Sequence, residues 1–111
     1  MLDVIKSSTE ISNLFKVGKR YNSYTLTLLV YKQVKQHDQK GRVAFIAGKK
    51  NGNAVWRNKA KRRLRAICRD CGGPWEGFDV VFIAKPSTTN AAYSKVQQAC
   101  ETLISRFLKE M

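Results

Sequence analysis

Residues 49–69, KKNGNAVWRNKAKRRLRAICR, hold nine basic side chains (Lys49, Lys50, Arg57, Lys59, Lys61, Arg62, Arg63, Arg65 and Arg69) and no acidic one. On a helix turning about 100° per residue, Asn58, Lys61, Arg62, Arg65 and Arg69 share an arc of about 100°. Trp56, Ala60, Leu64 and Ile67 fall opposite. Such a helix docks by its apolar edge and presents a ridge of cations about 5–6 Å apart, a spacing that suits a chain of phosphates better than one small ligand. A face that merely solubilises mixes both signs, so that residues four apart attract. Here Arg57, Lys61, Arg65 and Arg69 stand four apart with one sign. Arginine forks suit bidentate phosphate contacts. Asn58 among them can bond a sugar hydroxyl or base edge, or serve as an ordinary polar surface residue. In the preceding Lys49–Asn53 loop, Gly52 lets backbone approach a phosphate and the N–H groups at the helix start favour anions. The loop lacks the spacing of a nucleotide-binding P-loop.

Other reactive side chains are sparse. Cys68 and Cys71 form a C-x-x-C pair, a spacing used by zinc sites and redox couples, but the chain adds only Cys100 and one histidine, His37, against the four ligands of tetrahedral zinc. Three cysteines, an odd number, fit reduced thiols rather than a disulfide framework. No nucleophile stands beside a base in sequence, and the carboxylates are scattered, so the residues describe a binder with no catalytic or metal site of its own.

The elements that must hold the ridge follow from periodicity. Ser7 with Glu10 has capping-box spacing, Ile11, Leu14 and Phe15 follow at helical steps, and Gly18 closes a helix over 8–17. YNSYTLTLLVYK (21–32) reads as one strand with Tyr24, Leu26, Leu28 and Val30 on a common face, and an extra short strand near Ser23 or Lys49 stays open as an alternative. The polar stretch 33–41, with His37, is a loop, and RVAFIAGK (42–49) is a second strand, paired with the first as an antiparallel hairpin. A helix spans about 54–69, a buried strand 77–86 ends at Pro86, and an amphipathic helix runs from Asn90 on Tyr93, Val96, Cys100, Leu103, Ile104 and Phe107. The sum is a single-domain α+β sandwich with helices packed on a small sheet.

Length and composition agree. The 111 residues carry a formal charge of +13 and are 43% hydrophobic, enough for one modest core and too apolar for a disordered basic tail. No apolar run nears the roughly 18 residues of a membrane span, and MLDVIKSSTE lacks a signal peptide's charged start and apolar centre. The expectation is a cytoplasmic protein that meets a polyanion, nucleic acid before an anionic membrane.

KKNGNAVWRNKAKRRLRA (49–66) resembles the signature of the bacterial ribonuclease P protein component. The match runs through Lys49, Lys50, Gly52, Asn53, Ala54, Val55, Arg57, Asn58, Lys61, Arg62 and Arg65. LFKVG (14–18), GRVAFIAGKK (41–50) and GFDVVFIAKP (77–86) match further segments in the same order. The resemblance implies an α-β-β-β-α-β-α fold on a small mixed sheet with a left-handed βαβ crossover. It implies the protein subunit of a ribonucleoprotein endoribonuclease that removes the 5′ leader of precursor tRNA. The catalytic centre and its Mg2+ would belong to ribonuclease P RNA, with no cofactor held by the protein and no protein or membrane partner required. The RNA-binding set would be Lys49, Lys50, Asn53, Arg57, Asn58, Lys59, Lys61, Arg62, Arg65 and Arg69. A leader cleft between the first helix and the sheet would use Phe15, Lys16, Tyr31, Lys50 and Lys85, with aromatics stacking on bases and lysines on phosphates; Phe15 and Tyr31 serve equally as core residues. Lys59 stands where the family has a third signature arginine, Ile11 where it often has an aromatic, and its basic N-terminal arm with an Arg-Leu pair has no counterpart. The alternative is a general basic RNA-binding protein of ribosomal type without a ribozyme partner.

Overall fold

The computed structural model describes residues 4–5, 7–33 and 40–110. His37 and most of the expected 33–41 loop lie outside these residues. Helix α1 (Ser8–Val17) starts where Ser7 Oγ accepts the Glu10 N–H at 3.3 Å and ends where the Gly18 N–H reaches the Leu14 carbonyl at 2.8 Å. These are the predicted bounds.

The single strand expected over 21–32 is two strands, β1 (Lys19–Asn22) and β2 (Leu26–Lys32). Ser23 divides them. Its Oγ donates to the Leu26 carbonyl at 2.9 Å and accepts from the N–H groups of Thr25 and Leu26 at 3.3 and 3.2 Å. This side chain supplies the local partners that a ladder would otherwise give, so a turn wins over strand propensity. Tyr24 accordingly leaves the face assigned to it and stands 84% exposed.

Strand β3 (Arg42–Ile46) is followed by a 3-10 turn, Lys49–Asn51, then helix α2 (Ala54–Asp70), strand β4 (Phe78–Ala84), a short helix α3 (Pro86–Asn90) and helix α4 (Tyr93–Glu110). The expected hairpin between 21–32 and 42–49 does not form. The sheet order is β1-β2-β4-β3, with β4 antiparallel to β2 and parallel to β3. Val80, Phe82 and Ala84 of β4 bury on one face and Val81 on the other, so β4 takes a central position. Helix α2 makes the crossover between parallel β3 and β4. Pro86 stops β4 as predicted and opens α3, a helix absent from the sequence reading.

Each face of the sheet has its own core. On one, Leu26, Leu28, Val30, Val43, Val80 and Phe82 meet Ala60, Leu64 and Ile67 of α2 and Val96, Cys100, Leu103 and Phe107 of α4. Fully burying one such Leu or Phe is worth about 1.5–3 kcal/mol. On the other, Leu29, Ala44 and Val81 meet Leu14 and Ile11 of α1 and Ile5, with Tyr31, Ile46 and Ile83 packed at its margin. The first core is the larger, so α2 is held firmly, while among the described residues the second leaves Tyr31, Ile46 and Ile83 of the sheet only half-buried beside α1.

Candidate nucleic-acid interface

Helix α2 forms because Asn53 caps it and no Gly or Pro interrupts it. Asn53 Oδ1 accepts the Trp56 N–H at 3.0 Å. At the far end the Cys71 N–H reaches the Ile67 carbonyl at 2.9 Å, and Gly72 takes a φ of 92°, a left-handed turn that glycine adopts without cost to a Cβ. The inward side is the predicted one. Ala60, Leu64 and Ile67 are fully buried, and the Trp56 indole N–H donates to Thr89 Oγ1 at 3.0 Å.

The outward side carries the ridge. Asn58, Lys59, Arg62, Arg65 and Arg69 are exposed, and Arg57 and Lys61 are half-buried. Among the described residues no ion pair involves any cation of 49–69: the acids Glu10, Asp79 and Glu110 pair with Arg42 and Lys19 instead. Asp70, beside the end of the ridge, accepts the Tyr93 hydroxyl at 2.5 Å. The Arg65 guanidinium lies over the Phe45 ring, 5.6 Å from its centre, a contact that orients the charged head while the side chain stays exposed. Lys49 and Lys50 extend the cationic run from the 3-10 turn that leads into the helix.

Two arginines of this segment differ in kind. Arg63 turns away from the ridge: its Nη1 donates to the carbonyls of Ala91 at 2.7 Å and Thr88 at 3.3 Å, and its guanidinium lies over the Tyr93 ring at 5.6 Å. It ties α2 to the end of α3. Asn53, counted among RNA-binding residues, spends its side-chain oxygen on the helix cap and has only its amide N–H groups to offer.

The leader-cleft residues are spread along the other sheet face. Phe15 is 42% exposed on α1, with the Arg20 guanidinium 5.9 Å from its ring. Lys16 is exposed one residue on. Tyr31 is half-buried on β2, opposite Asp79 of β4. Lys85 follows the far end of β4, six residues from Asp79, about 20 Å along the strand. Its Nζ donates to Asn22 Oδ1 at 2.7 Å and to the Ser23 carbonyl. These residues therefore line a track and do not form one cluster. Arg20 was missed by the sequence reading because β1 was not separated from β2; opposite Leu29 in the ladder, it stands on the same face as Phe15's approach.

The C-x-x-C pair is structural. Cys68 and Cys100 are wholly buried and Cys71 half-buried, its thiol 3.9 Å from the Gln97 carbonyl. Burial pushes the Cys68 thiol up to about 12, and the Cys100 thiol up as well, so neither is a ready thiolate. Among the described residues no three His, Cys, Asp or Glu are grouped to hold a metal ion, and no helix is long and apolar enough to cross a membrane.

The family model "Ribonuclease P" matches residues 2–108. The chain belongs to the ribonuclease P protein family. Among curated ribonuclease P protein components, that of Finegoldia magna is 35% identical over 97 residues, covering 86% of this chain and 81% of its own. That of Clostridium botulinum strain Eklund 17B is 30% identical over 111 residues, covering 96% and 89%. The fold agrees with solved ribonuclease P proteins. The Thermotoga maritima protein superposes with a TM-score of 0.77 at 25% identity over 94% of this chain and 96% of its own. The Staphylococcus aureus protein gives 0.77 at 23% identity over 95% and 94%. The mixed four-stranded sheet with its α2 crossover is thus the architecture of ribonuclease P proteins.

Proposed function

We propose that this chain is the protein subunit of ribonuclease P, binds the catalytic RNA through the α2 ridge, and assists removal of the 5′ leader from precursor tRNA. The observation that carries the reading is the unpaired cationic ridge, set on a helix whose opposite side is locked into the larger core. Cations that pair with no carboxylate among the described residues lose little when they exchange solvent for phosphate, and a rigid helix keeps their spacing fixed. Arg57, Lys59, Lys61, Arg62, Arg65 and Arg69 bind phosphates, and Asn58 a sugar or base edge. Lys49, Lys50 and the Asn53 amide extend the contact around the helix start.

On the second face, the leader lies between α1 and the uncovered sheet. Phe15 and Tyr31 offer rings for stacking, and Lys16, Lys50 and Lys85 neutralise phosphates along the track. The protein's part is to hold substrate and stabilise the RNA fold; the bond-breaking step and its Mg2+ belong to the RNA.

Reconstitution tests this. With a bacterial ribonuclease P RNA at low magnesium, the protein restores leader cleavage, and Arg57→Ala combined with Arg62→Ala abolishes the effect while circular dichroism stays native. If wild-type protein binds RNA yet leaves cleavage unchanged, the general RNA-binding reading replaces this one.

A further inference from the structure

The geometry points to a second contact for single-stranded RNA at the β1–β2 turn, with Tyr24 as its stacking platform and Lys95 as its phosphate ligand. The inference rests on the leader track proposed above and extends it past Lys85. One exposed aromatic ring is ordinary on a protein surface; the surroundings of Tyr24 are what give it a role.

Tyr24 is the shared wall of two cavities. One, of about 580 Å3, is lined by Asn22, Ser23, Lys85, Pro86 and Ser87. The other, of about 490 Å3, is lined by Thr25, Ala91, Ala92, Lys95 and Ala99. The first contains Lys85, the last cation of the leader track, whose ammonium touches the residue immediately before Tyr24. A strand leaving the sheet face at Lys85 therefore meets the Tyr24 ring next, and beyond it a depression walled by three alanines with a lysine at its rim. Alanine walls leave room for a flat ring, and an aromatic face beside them accepts any base by stacking. Neither lining holds an acidic residue, so a polyanion is not repelled.

The platform is fixed in advance. Besides the three Ser23 hydrogen bonds that form the turn, Ser87 Oγ donates to the Tyr24 carbonyl at 2.6 Å and Thr88 Oγ1 donates to the Thr25 carbonyl at 2.5 Å. A turn so tied loses little freedom on binding. Lys95 is exposed, and no acid among the described residues pairs with it.

The test uses holoenzyme reconstituted with ribonuclease P RNA and precursor tRNAs carrying leaders of about two and about ten nucleotides, lengths that bracket a single-strand site. Tyr24→Ala weakens binding of the long-leader substrate by about tenfold, and Lys95→Ala reduces its log–log salt slope by about 0.7. The short leader, which cannot reach the turn, is bound alike by variants and wild type. Phe15→Ala and Lys50→Ala are run in parallel. If these two weaken binding while Tyr24→Ala and Lys95→Ala do not, the turn contact is wrong and the leader track stands. If none of the four changes binding, the leader track itself fails and the turn contact with it. Equal losses for both leader lengths also overturn the proposal, because they place the effect elsewhere than on a distal contact. Melting curves of the Tyr24 and Lys95 variants match wild type, as expected for side chains on the surface.

Discussion

Arg42 and Asp79 face each other across β3 and β4, joined by two hydrogen bonds, from Nε to Oδ1 at 3.1 Å and from Nη2 to Oδ2 at 2.9 Å. The same guanidinium donates through Nη1 to Glu10 Oε2 of α1 at 3.0 Å. Asp79 is buried, and Gln33 Nε2 donates to it as well, at 2.9 Å. One side chain thus fastens the first turn of α1 to the sheet and so sets one edge of the proposed leader track. The hydrogen bonds to Asp79, more than the one to Glu10, push the Arg42 pKa above its ordinary value.

Arg42→Ala leaves a buried carboxylate with Gln33 as its remaining partner. Breaking a buried pair costs about 3–5 kcal/mol, and the partial exposure of Arg42 brings the expected loss to about 2–3 kcal/mol. Arg42→Lys recovers only a part, because an ammonium cannot reproduce the fork that meets Asp79 and Glu10 together. Urea denaturation measures both; a loss below about 1 kcal/mol for Arg42→Ala contradicts the assignment.

Arg62 and Arg63, adjacent on α2, are predicted to behave oppositely. RNA binding by the wild type weakens with salt at a log–log slope near −4, the value for about five or six phosphate contacts. Arg62→Ala and Arg65→Ala each make the slope shallower by about 0.7–0.9 with little change in stability. Arg63→Ala leaves the slope unaltered and costs about 1–3 kcal/mol of stability, since it orphans the Ala91 and Thr88 carbonyls and removes the contact with Tyr93. Salt titrations of binding paired with melting curves separate the two classes; an unchanged slope in Arg62→Ala removes it from the interface.

The thiols give a pH signature. A thiol whose pKa rises on folding keeps its proton longer in the folded chain than in the unfolded one. The stability tied to it is intact below the ordinary value of 9.0 and is lost as pH climbs toward about 12 for Cys68. The stability advantage of wild type over a Cys68→Ala, Cys100→Ala protein therefore narrows between pH 9 and 11, as followed by thermal melts. In native protein iodoacetamide labels Cys71 alone, and Cys68 and Cys100 react only after unfolding. Rapid labelling of Cys100 in the folded state is the outcome that contradicts its burial.

Gly41 lies where the chain enters β3, and a Cβ built there falls 2.2 Å from the Trp75 carbonyl oxygen and 2.5 Å from its carbon. Backbone cannot yield as a flexible side chain can. Gly41→Ala is expected to cost about 3 kcal/mol, the upper end for overpacking. Gly48→Ala is the control: its nearest neighbour is Asn51 Nδ2 at 3.8 Å and its φ of −70° suits any residue, so stability is unchanged or rises by about 0.4–1 kcal/mol. Equal melting temperatures for the two variants count against the close approach.

The ridge of α2 was legible in the sequence because everything that makes it is local. Its uninterrupted helix formers and the angular sorting of Arg62 and Arg65 from Leu64 and Ile67 follow from spacing along one element, whereas the capping role of Asn53, expected as an RNA-binding residue, emerged only from its hydrogen bond to the Trp56 N–H. The bounds of α1 and the stop at Pro86 were legible for the same reason. The division at Ser23 was not, since a turn hydroxyl competes there with strand-forming neighbours and only the hydrogen bonds decide between them. Strand order was out of reach too. Residues 21–32 and 42–49 each read as strands, but which strand lies beside which is a contest among distant partners, and β4, buried on both faces, took the centre. Arg62 and Arg63 are the same residue type one position apart, in a segment whose charge alone announced a polyanion. That one faces solvent and the other closes the end of α3 was settled by packing, because only the folded chain brings the carbonyls of Thr88 and Ala91 within reach of a guanidinium 25 and 28 residues away in sequence.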